Sequence, residues 1–172
     1  MHMSKPDLPR FIADAMLGSL AKKLRLLGID TAYNSDADDS ELKYLVRSQS
    51  RILLTRDMNL SRNLGDLAWL ITGKDAREEF LSIAQKLSAV GCQPGPFSLC
   101  LDCNDRLQSI EPSKALDKVP PYIYRSKKTF TRCPSCGKVF WEGTHRERMG
   151  EEVEWMEKVL EEEKRGKGEK GK

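Results

Sequence analysis

Hydrophobic and polar positions in the first half of the chain follow two periods, one typical of buried strands and one typical of helices. Short apolar runs that fit strands lie at residues 10–13, 29–33, 52–54 and 67–71. Between and after them, leucine and other apolar residues recur every three or four positions, as on the buried side of an amphipathic helix. Strands that alternate with helices predict a parallel sheet with right-handed crossovers, and hence the α/β class.

Each predicted strand is followed either by a segment whose apolar residues recur at helical spacing or by a polar segment that can begin a helix. The first helix is the clearest: Gly28 is a good stop, and the apolar side consists of Leu17, Leu20, Ala21, Leu24 and Leu27. Further helices are predicted after the loop at 34–38, over the polar segment 59–63, and from Lys74 or Asp75 onward. The order is four strand–helix pairs.

Five cysteines are present, and four of them form two CxxC pairs. CLDC holds Cys100 and Cys103, and CPSC holds Cys133 and Cys136, with 29 residues between the pairs. Two such pairs can close a tetrahedral site with Zn–S bonds of about 2.3 Å, so we predict a structural zinc. A redox role is less favoured because neither pair follows a strand in a βαβ context. Cys92 is the spare thiol.

The clearest domain boundary is the turn-rich segment GCQPGPF at 91–97. We predict an α/β domain over residues 1–91, a small zinc ribbon over 92–149, and a charged tail over 150–172. Val153, Met156 and Leu160 have the spacing of a short amphipathic helix, and the low-complexity sequence after them favours disorder.

Acidic residues follow three of the predicted strands. Asp14 follows the first strand, the group at 36–39 follows the second, and Thr55 and Asp57 follow the third. The carboxyl ends of parallel strands meet at one edge, where open α/β sheets bind ligands. Each acid can also be explained as the cap of the next helix, but capping does not require all of them.

Clustered carboxylates repel one another, and a divalent cation relieves the repulsion. Oxygen ligands of this kind suit Mg²⁺ or Mn²⁺, which can activate water for phosphodiester cleavage. The sequence has no glycine-rich phosphate loop, which argues against nucleoside triphosphate hydrolysis. A Ser-His-Asp site is not indicated, because His145 is the only histidine besides His2.

Composition places the chain among soluble proteins with a charged surface. Hydrophobic residues make up 39% and charged residues 32%, and no apolar run reaches the length of about 20 residues that a membrane span needs. No secretory signal is recognisable, so we expect a cytoplasmic protein without a membrane partner. The net charge of +3 is only a weak signal for a polyanion, although residues 92–149 hold 10 basic and 6 acidic side chains.

Basic side chains that could hold a nucleic acid lie in three groups. They are Lys22, Lys23 and Arg25 on the first helix, Arg56 and Arg62 by the acidic residues, and Arg125, Lys127, Lys128 and Arg132 with Tyr122, Tyr124 and Phe130 on the ribbon. Basic residues interleaved with aromatic ones suit single-stranded nucleic acid. The alternative for the ribbon is a solvated face whose aromatic residues pack around a small zinc core.

Several long motifs resemble the PIN-domain nucleases, and more narrowly the branch in which a PIN-like RNase domain precedes a zinc ribbon, as at the C-terminus of the mut-seven exonuclease. The matching segments span about 11–149 and are FIADAMLGSLAKKLRLLGID, DADDSEL, RILLTRD, CLDC, the VPP at 119–121, CPSC and VFWEGTHRERM. The resemblance implies metal-dependent cleavage of RNA, with RNA as partner, structural zinc, and catalytic magnesium or manganese.

The resemblance also implies roles for individual residues. Asp14, Asp38 or Asp39, and Asp57 would be the ligands of the catalytic metal, and Thr55 would be a supporting hydroxyl. PIN domains often have a fourth acid after the fourth strand, where this chain offers only ITGKD with Asp75.

Two functions remain in competition. The leading one is a ribonuclease whose zinc ribbon binds RNA or braces the fold, and the absence of a clear fourth acid favours the other, a catalytically silent RNA- or ribosome-associated module. A signalling receiver with Asp57 as phosphoacceptor is disfavoured, because GCQPGPF stands where a fifth strand and a lysine would be needed. RNA against DNA, the role of the segment GTHRERM, and the oligomeric state stay open.

Overall fold

The structure is a computed structural model that describes residues 8–92 and 95–168, apart from the side chains at 144–145 and 167–168. Its first unit is a four-stranded parallel sheet in the order β2-β1-β3-β4. The strands are β1 (Arg10–Ala13), β2 (Thr31–Tyr33), β3 (Arg51–Thr55) and β4 (Ala68–Leu70). All neighbouring pairs are parallel, which confirms the α/β class.

Helices cover both faces of this sheet. They are α1 (Gly18–Leu26), preceded by a 3₁₀ turn at Ala15–Leu17, α2 (Asp39–Ser48), α3 (Met58–Leu64) and α4 (Ala76–Ala89). Successive residues of a strand point to opposite faces. Phe11 and Leu54 accordingly pack in the core with α1 and α4, whereas Ile12 and Leu53 pack in the core with α2 and α3.

The second unit is a three-stranded antiparallel sheet in the order β5-β6-β7. Its strands are β5 (Gln108–Ile110), β6 (Phe130–Arg132) and β7 (Val139–Trp141), and the short helix α5 (Pro121–Ser126) lies between the first two. Ala115, Val119, Ile123 and Phe130 form a small core of their own. We call residues 98–141 the ribbon.

The last helix, α6 (Thr144–Gly168), has 25 residues, whereas the sequence predicted a short helix followed by disorder. Val153, Met156 and Leu160 are buried in the core of the first unit, and the ring of Trp155 lies 5.6 Å from that of Phe80. This packing anchors the helix, and the glutamate- and lysine-rich sequence beyond Leu160 consists of good helix formers. Residues 169–172 of the predicted disordered segment lie outside the described residues.

The predicted boundary segment is bonded to the end of α1. The N–H groups of Gly95 and Phe97 donate to the carbonyl oxygens of Leu27 and Leu26 at 2.7 and 3.0 Å. Gly28 has φ +78°, and a Cβ on it would lie 2.2 Å from the carbonyl oxygen of Gly95. Only glycine allows this close approach. Residues 93–94 of the boundary segment lie outside the described part.

Across the described ranges, no helix combines the length and the apolar character needed to cross a membrane.

Candidate functional site

The strand order creates a crevice between the carboxyl ends of β1 and β3. After β1 the chain passes through α1 to β2 on one side, and it then returns past β1 to β3 on the other side. Such a change of direction is the place where open α/β sheets bind ligands. Asp14 directly follows β1, and Thr55 ends β3 with Asp57 two residues later.

The hydroxyl group of Thr55 joins the two aspartates. It donates to Oδ2 of Asp14 at 2.8 Å and accepts a bond from the N–H of Asp57 at 3.0 Å. Thr55 is 0% exposed, so its hydroxyl has no competition from bulk water. The β1 and β3 ends are therefore connected by a fixed hydrogen-bond chain.

Both aspartates also cap helical turns. Oδ1 of Asp14 accepts from the N–H of Ala15 at 2.5 Å, and Oδ1 of Asp57 accepts from the N–H of Leu60 at 2.8 Å. A carboxylate has about four lone-pair sites. Capping thus uses part of each carboxylate and leaves acceptor capacity for a cation or a substrate proton.

Asp38 and Asp39 follow β2, the neighbour of β1 on its other side. Oδ1 of Asp38 accepts from the N–H groups of Ser40 and Glu41 at 2.8 Å each, so it caps α2, and Asp39 is exposed in the first turn. Because β1 lies between them, the ends of β2 and β3 are about 10 Å apart. Within the described ranges, the four cysteines are the only group of three or more acidic, histidine or cysteine ligands whose ligand atoms lie within 4.8 Å of one another.

The acid predicted after β4, Asp75, caps α4. Its carboxylate accepts from the N–H groups of Glu78 and Arg77, and these bonds lower the pKa of Asp75. A second acid in this turn, Glu79, was missed by the sequence analysis. Glu79 is 4% exposed and forms an ion pair with Arg56. Its position four residues before Ile83, on the edge of the apolar side of α4, was the only signal in the sequence.

Arg25, predicted to contact RNA, is buried, and this prediction is corrected. Its guanidinium donates to the carbonyl oxygens of Thr31 at 2.8 Å, Leu101 at 2.7 Å and Asp102 at 3.0 Å. Burial lowers the pKa of Arg25. With 4% exposure the side chain braces the contact between α1 and the ribbon, and it does not face a substrate.

Two further cations of the predicted RNA-binding set are engaged in ion pairs. Lys23 pairs with Glu152 of α6, which also pairs with Arg77 at 2.6 Å. Arg56 pairs with Glu79 and donates to the carbonyl oxygen of Gly73 at 3.1 Å. Lys22 and Arg62 are exposed, and within the described ranges neither forms an ion pair.

The four cysteines of the two pairs converge. Their sulfur atoms all lie within 4.8 Å of one another, and Sγ of Cys100 is 3.8 Å from Sγ of Cys136. Sulfurs that share a tetrahedral zinc at about 2.3 Å are about 3.8 Å apart. The arrangement can hold zinc, as the spacing predicted.

The two pairs form knuckles with the same backbone pattern. In the first, the N–H of Asn104 donates to the carbonyl oxygen of Cys100 at 2.9 Å, and in the second, the N–H of Gly137 donates to that of Cys133 at 3.0 Å. Asn104 and Gly137 have φ of +66° and +74°. Asparagine and glycine are the residues that tolerate this conformation best, so each turn has a suitable residue directly after its second cysteine.

The electrostatics of the thiols favour a cation. The neighbouring Cys136 thiol raises the pKa of Cys103 to about 12, and burial raises the pKa of Cys100. A hydrogen bond from the N–H of Lys138 lowers the pKa of Cys136. Cys100 and Cys103 therefore resist becoming thiolates unless a divalent ion compensates their charge. Cys92 is outside the group, and burial raises its pKa to about 11.

The first knuckle docks on the amino edge of the parallel sheet, opposite to the crevice. Oδ1 of Asn104 accepts from the N–H of Thr31 at 2.9 Å, and its Nδ2 donates to Asp30 at 2.6 Å. The same Asp30 oxygen accepts from Arg51 at 2.7 Å. The sequence analysis missed Asn104. The cysteine site is therefore structurally separate from Asp14 and Asp57.

The family model described as the Mut7-C RNAse domain matches residues 9–153. The chain belongs to this family. The description of the family indicates ribonuclease activity and RNA as substrate. No curated protein and no solved structure matches the chain.

Within this Mut7-C RNase chain, the ribbon presents most of its predicted RNA-binding residues to solvent. Arg125, Lys128 and Arg132 are exposed, and Lys127 is half-buried. Tyr124 is half-buried and packs against the core of the ribbon, whereas Tyr122 is 69% exposed. Of the two tyrosines, Tyr122 is the one available for stacking on a base.

The segment GTHRERM of this Mut7-C domain begins α6. The guanidinium of Arg146 lies 4.5 Å from the ring centre of Phe97, and Met149 packs against the core of the first unit. Phe97 is bonded to the end of α1, which lies at the amino edge of the sheet. The start of α6 therefore packs near the end of α1 and against the core of the first unit. The side chains of Thr144 and His145 are outside the description.

Proposed function

We propose that this protein is a metal-dependent ribonuclease that hydrolyses RNA phosphodiester bonds at the crevice between β1 and β3, and that it acts in the cytoplasm, where thiols stay reduced. The main support is the Thr55 hydroxyl, which links Asp14 to the backbone of Asp57 at the point where the strand order reverses. The match to the Mut7-C RNase family supports this proposal.

Asp14 and Asp57 are the residues that would hold the catalytic metal. Magnesium and manganese are commonly bound by one or two carboxylates together with water and substrate phosphates, so two aspartates are an adequate donor set. When bound, such an ion supplies an activated water and neutralises charge on the leaving oxygen. Asp38 or Asp39 would add negative charge from the end of β2.

Thr55 would act by orientation. Its bond to Oδ2 of Asp14 fixes one carboxylate, and its bond from the N–H of Asp57 fixes the start of the turn that carries the other. A buried hydroxyl with both bonds made has little freedom to rotate. The two acids would thus meet the substrate in one arrangement, which is the main requirement for efficient phosphodiester chemistry.

The ribbon would hold the RNA backbone. Residues 106–141 contain eight basic and two acidic side chains, so the surface attracts phosphates independently of sequence. Zinc at the four cysteines would fold this unit, because binding to a structural site contributes directly to the free energy of folding.

The test is incubation of the protein with labelled single-stranded RNA and DNA in Mg²⁺, in Mn²⁺ and in EDTA. We expect cleavage of RNA that requires the divalent ion and is lost in Asp14→Asn and Asp57→Asn. RNA cleavage that persists in EDTA, or in both variants, would contradict the proposed site.

The second candidate is a catalytically silent RNA- or ribosome-associated module. The observation that favours it is that Asp14, Asp38, Asp57 and Asp75 all cap helices or turns, so each has a structural role without any metal. RNA binding without cleavage under every metal condition would establish this candidate.

A further inference from the structure

Two charged side chains, Arg25 and Glu79, are buried in the described part of the chain. Burial of a charge is unfavourable unless a partner compensates it. The charge of Arg25 is compensated by hydrogen bonds to carbonyl oxygens in β2 and in the first knuckle. Glu79 is compensated by its ion pair with Arg56, which places this buried charge next to the crevice.

The partner of Glu79 is Arg56, the residue between Thr55 and Asp57. The Nη2 atom of Arg56 reaches both the Glu79 carboxylate and the carbonyl oxygen of Gly73. Nε of Arg56 is buried as well, and the described ranges contain no hydrogen-bond partner for it. The Arg56 side chain is 32% exposed as a whole, but its guanidinium is turned toward α4 and the loop after β4.

Gly73 makes this arrangement possible. Its φ is +137°, and a Cβ on it would lie 2.6 Å from the backbone nitrogen of Glu79 and 2.7 Å from the carbonyl carbon of Glu78. Only a residue without a side chain lets the loop after β4 cross the first turn of α4 this closely. The crossing places the carbonyl oxygen of Gly73 within reach of Arg56.

We propose that Arg56, Glu79 and Gly73 form a lock that positions Thr55 and Asp57 for the reaction. In this view Arg56 is a positioning residue and not a contact to RNA. The catalytic part of this inference rests on the proposed ribonuclease function, whereas the structural part does not.

The chain segment that leaves β3 is held by contacts on both sides. On one side the Thr55 hydroxyl is bonded to Asp14, and on the other the Arg56 guanidinium is bonded to α4 and the loop after β4. Because Glu79 neutralises Arg56, the lock adds no net positive charge beside the acids. Charge-assisted bonds of a guanidinium are strong and directional, so the turn that carries Asp57 has little freedom to shift.

The kinetic test compares Arg56→Met, Arg56→Lys and Glu79→Gln with the wild type. We expect Arg56→Met and Glu79→Gln to lower kcat on the order of tenfold or more with KM for RNA unchanged, because small displacements of reacting groups are costly. Arg56→Lys should recover part of kcat, since it restores the charge but not the geometry of the guanidinium.

Arg51→Met is the matched control. Arg51 lies at the other end of β3 and forms an ion pair of the same type with Asp30, far from the crevice. It should lose stability as the lock variants do, yet keep kcat. An equal fall of kcat in Arg51→Met would show that the effect is general destabilisation, and it would overturn the inference.

Hydrogen exchange tests the lock without activity. The amides of residues 57–61 should exchange faster in Glu79→Gln and Arg56→Lys than in Arg51→Met, while the amides of β1 keep their protection in the lock variants. Unchanged exchange at 57–61 would overturn the lock even if the wild type cleaves RNA. A wild type that does not cleave RNA would instead refute the proposed function. The exchange result would then decide by itself whether the structural lock exists.

The alternative role for Arg56, a direct contact to RNA, predicts different kinetic results. If Arg56 contacts phosphate, Arg56→Met should raise KM and reduce the salt dependence of RNA binding, by roughly 0.7 in the slope for single strands. Glu79→Gln would then leave kcat intact because it frees the guanidinium. That pair of results would show that Arg56 binds RNA and that the lock is wrong.

Discussion

Arg25 on α1 donates a hydrogen bond of 2.7 Å to the carbonyl oxygen of Leu101, one of the two residues between Cys100 and Cys103. The two residues belong to different units, and the arginine is buried. Two of the three carbonyl acceptors of its guanidinium, those of Leu101 and Asp102, belong to the first knuckle. The stability of the α/β unit is therefore coupled to the cysteine site.

Removal of zinc should consequently destabilise more than the ribbon. We expect chelation, or Ser in place of Cys100, Cys103, Cys133 or Cys136, to abolish the one equivalent of bound zinc. Because Arg25 would lose two of its three hydrogen-bond acceptors, thermal unfolding of the α/β unit should shift downward as well. Metal analysis and a melting curve measure both effects. Cys92→Ser is the control and should retain zinc, and an unchanged melting curve after chelation would contradict the coupling.

Asn104→Gly tests the same contact without touching a cysteine. Glycine keeps the positive φ of this position but removes the bonds to Thr31 and Asp30. Each buried group left without a partner costs about 1–3 kcal/mol, so the free energy of unfolding should fall by roughly that amount. Zinc content should stay at one equivalent. A loss of zinc in this variant would show that Asn104 matters to the knuckle itself and not to its docking.

Substitutions at Asp14 and Asp57 separate charge from capping. Asparagine caps a helix as well as aspartate does, so Asp57→Asn should abolish cleavage while stability is retained. Asp14→Asn should also abolish cleavage, but it replaces the oxygen that accepts from Thr55 and should lose about 0.5–1.5 kcal/mol of stability. Alanine removes the cap too, so Asp14→Ala and Asp57→Ala should lose about 1 kcal/mol of stability in addition. Cleavage assays and chemical denaturation give the two readouts. Active asparagine variants would leave these residues with a capping role only.

Binding of RNA by the ribbon should depend on its basic side chains and on Tyr122. Changing Lys127, Lys128 and Arg132 together should weaken binding for all sequences and reduce the salt slope by roughly 0.7 for each lost phosphate contact. Tyr122→Ala should lose about 1–3 kcal/mol of binding if a base stacks on this ring. Tyr124→Ala should instead lower the stability of the ribbon. Titrations with labelled RNA at several salt concentrations measure these effects, and an unaltered affinity in all variants would restrict the ribbon to a structural role.

Glu152 ties α6 to the first unit and gives a prediction for acidic pH. Burial opposes ionisation, but hydrogen bonds from Arg77 and Lys23 outweigh it and lower the pKa of Glu152. A carboxyl whose pKa is lower in the folded state stabilises the fold above its unfolded pKa of about 4.3, and this contribution is lost as pH falls through the folded pKa.

Glu152→Gln should therefore be less stable than the wild type near neutral pH by about 1–2 kcal/mol, and the difference should shrink below pH of about 4. Fluorescence of Trp155, three residues further along α6, can report the release of the helix. Glu151→Gln is the control because Glu151 is exposed and forms no ion pair within the described ranges. A constant difference between the two variants at all pH values would contradict the assignment.

The sequence determined the elements whose signals are local. The buried run Ile52–Leu54 predicted β3, which extends from Arg51 to Thr55, and the RFIA segment predicted β1 with its observed bounds. The second strand was predicted from residue 29 but begins at Thr31. The reason is that the N–H of Ile29 donates to the carbonyl oxygen of Leu24 and so closes the end of α1. The two cysteine pairs were readable because each knuckle is a short turn defined by its own residues.

The tertiary structure decided the partners of the long polar side chains. Arg25 and Lys23 had the same appearance in the sequence as Lys22, but Leu101 and Glu152, which engage them, lie 76 and 129 residues away along the chain. The same holds for the acids, because the position of β1 between β2 and β3 separates Asp38 and Asp39 from Asp57. Periodicity records which side of an element is buried, whereas the partner of an arginine or a carboxylate depends on which distant segment packs there.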